Sequence, residues 1–157
     1  IPTLEKFQVV VFSNSARALF PGEWQDFAGE KSVEAIRAAL LKVVPQDDTN
    51  LYAGMDQAFK LRPAGLDTVY LFSDGLPTSG PGLPPQLGAG PPMKETEKSE
   101  VLGKHLRKVL REQWNAPRDG KPPVRVNAVG FYFESPDIGS FLWALAREND
   151  GSFVGMS

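Results

Sequence analysis

The chemistry open to this chain is concentrated around Asp74. Val69-Tyr70-Leu71-Phe72 is an apolar, β-prone run that ends in Ser73-Asp74-Gly75 and continues as Leu76-Pro77-Thr78. This pattern puts a single carboxylate at the carboxyl end of a buried strand, and in open α/β sheets that edge is where ligands and ions bind. Upstream, Asp47-Asp48-Thr49-Asn50-Leu51 opens a helix and offers a hydroxyl, Thr49, in a second loop that can reach the same edge. Each residue also has a purely structural role available. A threonine ahead of a helix is an N-cap, Asp-Gly after a strand is a common turn pair, and Asp47-Asp48 is a charge pair favoured by the helix dipole.

Other chemistries lack their parts. The chain has no Cys, hence no disulfide framework and no thiolate. Its one histidine, His105, lies on a charged helix beside Lys104 and Arg107. No Gly-x-Ser-x-Gly elbow surrounds Ser13 or Ser73, so a hydrolase built on them with His105 and Asp74 is disfavoured. Gly-x-Gly-x-x-Gly after a strand and Gly-Lys-Ser/Thr are both missing, which leaves no phosphate cradle. A formal net charge of −2 with interspersed signs argues against a nucleic-acid surface. No apolar run approaches the ~18 residues of a membrane span, and no signal-peptide pattern opens the chain. Beginning at Ile1, the chain is expected to be a processed or trimmed product.

The elements that must position Asp74 and Thr49 read as strand, helix, helix, strand, loop, helix, strand, helix, strand. At 157 residues, 41% of them hydrophobic, residues 1–157 fit one globular domain. Residues 7–13 form a continuous apolar strand, as in a sheet covered on both faces, and 18–20 a short edge strand. Ser32 is an N-cap for a helix over 33–44, with Val33, Ile36, Leu40 and Val43 at helical spacing before Pro45. Thr49 caps a second helix that sets Leu51, Met55, Ala58 and Phe59 on one face. After the 67–73 strand, residues 78–93 carry so many Gly and Pro that neither helix nor central strand fits. They form an irregular surface insertion or a recognition loop. A charged helix over 97–114 turns Leu102, Leu106 and Val109 inward. A strand over 124–133 follows, then a helix from Ser135-Pro136 with Ile138, Phe141, Leu142 and Leu145 buried, and a last strand over 152–154. Trp24 and Trp143 are expected to be packing residues. Strands alternating with helices predict a doubly wound, mostly parallel α/β sheet flanked by helices on both faces.

Taken together, these segments resemble the von Willebrand factor A family. Thr49, in Thr-Asn-Leu-Tyr, resembles the threonine of that family's metal-ion-dependent adhesion site, and Asp74, in Phe-Ser-Asp-Gly-Leu-Pro-Thr, its aspartate. Phe7-Gln8-Val9-Val10-Val11-Phe12-Ser13 is similar to the second strand. Leu142-Trp143-Ala144-Leu145-Ala146 and Asp150-Gly151-Ser152-Phe153 are similar to the last helix and strand. The resemblance implies a Rossmann-type, non-enzymatic module that binds a protein partner through a divalent cation such as Mg²⁺. A small hard cation prefers oxygen ligands and keeps several waters, and hydroxyls with few aspartates leave charge to attract a partner's carboxylate. The implied ligands are Thr49 and Asp74, with Ser13 a weaker candidate and Asp48 weaker still. Gly75, Leu76, Pro77 and Thr78 would meet the partner.

One departure bears on all of this. The family's first strand ends in Asp-x-Ser-x-Ser, and no such segment precedes Phe7. Val11-Phe12-Ser13-Asn14-Ser15 has both serines but Val in place of Asp, and Phe20-Pro21-Gly22 interrupts where a long helix would follow. By the family's strand order, the absent strand belongs between 7–13 and 67–73. If ~5 hydrogen bonds go unmade at ~1 kcal/mol each, the loss approaches a domain's whole stability. A preceding segment or a strand from another chain is therefore expected to fill the gap. Metal occupancy in this chain alone is doubtful, and a metal-independent scaffold within a larger assembly is the rival reading.

Overall fold

Apolar periodicity and turn chemistry build two layers here. The computed structural model describes residues 3–85, 88, 90–118, 120–131 and 136–156. Three strands, β5 (Thr68–Ser73), β6 (Arg125–Phe131) and β7 (Phe153–Met156), pair in parallel in that order. The register sets Leu71 beside Ala128 and Phe72 beside Val129, and Val129 in turn beside Val154. Four short N-terminal strands precede them: β1 (Lys6–Phe7), β2 (Val10–Phe12), β3 (Ala16–Ala18) and β4 (Gln25–Asp26). They form two antiparallel pairs, β1 with β4 and β2 with β3.

The helices are α1 (Glu30–Leu40), α2 (Leu51–Phe59), α3 (Glu95–Val109) and α4 (Pro136–Glu148). Leu51, Met55 and Phe59 of α2, Leu106 of α3, and Leu142, Leu145 and Ala146 of α4 join Leu71, Val126 and Ala128 in one buried core. The periods of 3.6 and 2 meet here, because every second strand residue faces the helices. Leu102, Leu106 and Val109 are buried as their spacing predicts. Beyond α3, the π-helical turn Leu110–Trp114 sets Trp114 against Tyr52 and Phe59. At the amino end of β6, buried Asn115 accepts from Val124 N–H at 2.6 Å and donates to the Val124 carbonyl at 2.7 Å. It also donates to the Asn149 Oδ1 at 2.9 Å, which ties the end of α4 to the start of the strand.

Several local expectations are corrected. Residues 7–13 are not one strand, because Gln8 breaks the ladder: its side-chain oxygen accepts from Val9 and Phe20 N–H and its amide donates to the Phe20 carbonyl. The hairpin strand covers Ala16–Ala18 rather than 18–20, since it pairs residue by residue with Val10–Phe12. Helix α1 starts at Glu30, with Gly29 at φ 63° before it, so Ser32 is not its cap. Ser32 sits inside the first turn, where its hydroxyl accepts from Ala28 N–H at 2.8 Å. Val33 and Leu40 do not face a core: α1 contributes no residue to it, and both are close to half-exposed. Trp143 is 56% exposed, because it lies a third of a turn from the Leu142–Leu145–Ala146 stripe that holds α4 down. Trp24 does pack, donating its indole N–H to the Ala64 carbonyl. The strand over 124–133 and the Ser135 helix start extend partly outside the described residues.

The two faces of the sheet differ. Leu71 is 4% exposed beneath the helices, whereas Phe72, its neighbour in sequence, is 56% exposed on the other side. Tyr70, Val154 and Met156 stand half-exposed on that outer face with it. Beside β5, a cleft of about 910 Å³ runs between residues 3–12 and residues 64–72. Among the described residues, β5 pairs with β6 alone and β2 with β3 alone, so each leaves an edge free on the cleft side.

Candidate functional site

Three chain segments meet at the carboxyl ends of β2 and β5, and backbone bonds lock them together. The Asn50 N–H donates to the Ser13 carbonyl at 2.6 Å, which joins the start of α2 to the end of β2. The Thr78 N–H donates to the Thr49 carbonyl at 3.0 Å, and the Thr49 N–H donates back to the Thr78 hydroxyl at 2.9 Å. This reciprocal pair fixes the turn after β5 against the entry to α2. A Cβ placed on Gly75 would lie 3.9 Å from the Thr49 hydroxyl oxygen, so that hydroxyl is adjacent to the Asp74-Gly75 peptide. Ser73, at the strand end, spends its hydroxyl on the turn itself, donating to the Gly75 carbonyl and accepting from the Gly75 N–H.

The structure therefore gathers Thr49, Asp74 and Ser13 at one edge, from three different segments. It also assigns them different availability. The α2 cap is Asn50, not Thr49: Asn50 Oδ1 accepts from Ala53 N–H at 3.0 Å. The Thr49 hydroxyl is thereby free of the capping role the sequence suggested for it. Asn50 further donates its side-chain amide to the Asn14 carbonyl at 3.0 Å, a second tie between α2 and the β2 end. Asp74 is exposed, and Asp48 beside the helix entry is exposed as well. The Ser13 hydroxyl is already engaged, donating to Gln46 Oε1 at 3.0 Å. Of the turn residues, Thr78 is exposed, Gly75 and Leu76 are half-buried, and Pro77 is buried as a prop under the turn.

The following loop tucks against the helices beside the site. Gly80, at φ 122°, passes so close to α2 that a side chain there would meet Asn50 Oδ1 at 2.8 Å. Gly82, at φ 121°, passes equally close to His105. Between these contacts and Thr78 lies Ser79, whose hydroxyl is the one buried side-chain polar atom without a hydrogen-bond partner among the described residues. His105 stacks on Tyr52 with ring centroids 5.9 Å apart. His105 stacks on Tyr52, Ser13 bonds Gln46 and Ser73 bonds Gly75, so these three side chains are not paired with one another.

As a cation site, the set is partial. It offers one carboxylate and the hydroxyls of Thr49, Thr78 and Ser13, the last two already hydrogen-bonded. Among the described residues no group of three His, Cys, Asp or Glu side chains is placed to hold a metal ion. A magnesium ion bound through one or two carboxylates fills its remaining octahedral positions with water or with oxygens from elsewhere. The residues present would supply only part of such a shell. The contributions of Asn50 and Asn14 to this edge, and the lock that Thr78 makes with Thr49, were not read from the sequence. Asn50 had a usable signal, since Asn directly before an apolar helical run caps as well as Thr.

A solved structure described as von Willebrand factor type A from Catenulispora acidiphila is similar over 97% of this chain, with a TM-score of 0.63 and 17% identity. This chain spans 30% of that one. At such identity the likeness is one of fold: an α/β domain with a parallel sheet and helices of the von Willebrand factor A type. No protein-family model matches the chain, and no curated protein matches it.

Proposed function

We propose that this chain is a non-enzymatic binding module that takes a protein partner at the carboxyl edge of its sheet, over Asp74, Thr49 and the 75–78 turn. The supporting observation is the reciprocal Thr49–Thr78 lock, which holds the Thr49 hydroxyl next to the turn that carries exposed Asp74. Such an arrangement suits recognition, because groups held in place before binding lose little freedom on binding. In its fuller form a divalent cation is held by Thr49 and Asp74, with Ser13 behind them, and its residual charge draws a carboxylate from the partner. Oxygens from outside this chain complete the shell. A strand seated in the cleft between β2 and β5, from a preceding segment or another chain, would end at this same edge and is the natural source of them.

The engagement of Ser13 with Gln46 favours a second reading, a metal-independent scaffold that uses the same edge. The two separate in one experiment, the titration of Mn²⁺ into the ¹⁵N-labelled chain. The cation reading expects paramagnetic broadening confined to amides near Thr49, Gly75 and Thr78, and its loss in Asp74→Ala with the fold unchanged. Broadening scattered over surface carboxylates, or retained in Asp74→Ala, removes the cation and leaves the scaffold.

A further inference from the structure

Of the helices α1 to α4, only α1 gives no residue to the core, and its outer side is apolar. Ser32 is buried and Ile36, Ala39 and Val43 are half-buried, so this side faces the rest of the chain. Val33, Leu40, Leu41 and Val44 turn away from it. Leu41 at 81% and Val44 at 78% are the most exposed large apolar side chains among the described residues. The rotation of the helix continues past Leu40, because the Lys42 N–H donates to the Ala39 carbonyl at 3.2 Å and the Val43 N–H to the Leu40 carbonyl at 3.0 Å. Val33, Leu40 and Val44 therefore form one stripe with Leu41 beside it. We infer that this stripe is a self-association surface, on which α1 of a second copy of this chain lies antiparallel.

Charge selects this occupant. Glu34, Ala38 and Lys42, all exposed, follow one another at intervals of four along the edge of the stripe. Glu30 and Glu34 stand in the amino half of the segment, Arg37 and Lys42 in the carboxyl half. None of these four forms an ion pair among the described residues. Acid first and base last suits the helix's own dipole, so that order alone names no partner. Set along an uncovered apolar stripe, it does. In an antiparallel pair of identical helices, the same edge of each faces the other. With the crossing at Ala38, each Glu34 lies opposite Lys42 of the other copy, and two ion pairs flank the shared stripe. A parallel pair would set Glu34 against Glu34 and Lys42 against Lys42.

The arrangement is closed, since both copies use the same self-complementary patch. Ala38 is small, which favours the short end of the roughly 8–10 Å range of interaxial distances. Arg37 interrupts the stripe, but its aliphatic stem lies along it with the guanidinium in water. Lys31 falls opposite Pro45 of the second copy and meets no charge there. One helix of 11 residues per copy, ~16 Å long, makes a small interface, so the pair is weak and reversible.

Charge exchange tests the pairing. Sedimentation equilibrium of the chain up to about 1 mM, the weak end of the affinity scale, is expected to show a reversible dimer. Glu34→Lys and Lys42→Glu, each alone, are expected to weaken it by roughly tenfold or more, since two attractive contacts become repulsive. Mixed one to one, the two variants regain opposite charges and are expected to associate with the affinity of the parent. Leu41→Asp sets a charge against the stripe and is expected to abolish the dimer. All three positions are exposed, so the fold should survive, as circular dichroism would show. If the chain stays monomeric over the whole range, something other than a second copy covers α1 and the inference is wrong. If a dimer forms but ignores the two charge substitutions, another surface holds it and the inference falls. If mixing fails to restore what the single variants lose, the antiparallel pairing is refuted.

Discussion

The two faces of β5 are built from one six-residue strand and end in opposite situations. Val69, Leu71 and Ser73 point under α2, α3 and α4, with Leu71 and Ser73 buried. Tyr70 and Phe72 point outward and remain half-exposed. A half-solvated strand alternates apolar with polar residues, whereas a strand covered on both faces reads as a continuous apolar run. Val-Tyr-Leu-Phe is the second kind of sequence in the first kind of setting. The comparison teaches that a strand's composition says how much cover a face would accept, not how much it has.

Truncations on the two faces should differ most. Leu142 is fully buried against the inner face, and Leu142→Ala is expected to cost about 2–5 kcal/mol in denaturant unfolding, the range for buried leucines. Phe72→Ala is expected to cost about 1 kcal/mol, the worth of its stack on Phe131. A loss at Phe72 comparable to that at Leu142 would mean that the outer face is already covered in solution, which would break the comparison.

Two glycines repeat the contrast on a smaller scale. A methyl on Gly151 would overlap the Val126 carbonyl oxygen, a backbone atom within the closed half of the sheet. A methyl on Gly54 would meet the Phe12 ring at 2.8 Å, and Phe12 borders the open cleft. Gly151→Ala should therefore destabilise by about 3 kcal/mol, the upper part of the range for overpacking. Gly54→Ala should cost about 1 kcal/mol or less, since the ring has room to swing and Ala is the better helix former. Thermal unfolding of the two variants measures both. Equal losses would show that the cleft wall is as rigid as the core.

What was legible in the sequence tracks the same division. On the closed side, helical spacing placed Leu102, Leu106 and Val109 inward, and the apolar run of β5 was read to within one residue. Both are local patterns that tertiary packing reinforces. For α1 spacing misled, since an apolar stripe says that a face would accept cover but not that cover is present. The break at Gln8 was illegible for another reason: its side-chain amide bonds the backbone of Phe20, a partner twelve residues away. At the site, motif order brought Thr49 and Asp74 to one edge, whereas the lock through Thr78 and the tie from Asn50 to Asn14 depend on two loops meeting in space.

The smallest expected effect sharpens that last point, because cap and candidate ligand are adjacent residues with different duties. Asn50 holds the Ala53 N–H with its side-chain oxygen and the Asn14 carbonyl with its amide, so it serves the fold twice. Asn50→Ala is expected to cost about 1 kcal/mol, the usual loss for removing an N-cap. Thr49 contributes to the lock through its backbone N–H and carbonyl, which substitution leaves in place. Thr49→Val keeps the β-branched shape and removes only the hydroxyl, so its stability is expected to stay within about 0.5 kcal/mol of the parent, measured by urea unfolding. A neutral Thr49→Val beside a costly Asn50→Ala would assign the structural work to Asn50 and leave the Thr49 hydroxyl available for a ligand. The reverse order would make Thr49 a structural residue and remove one of the proposed cation ligands.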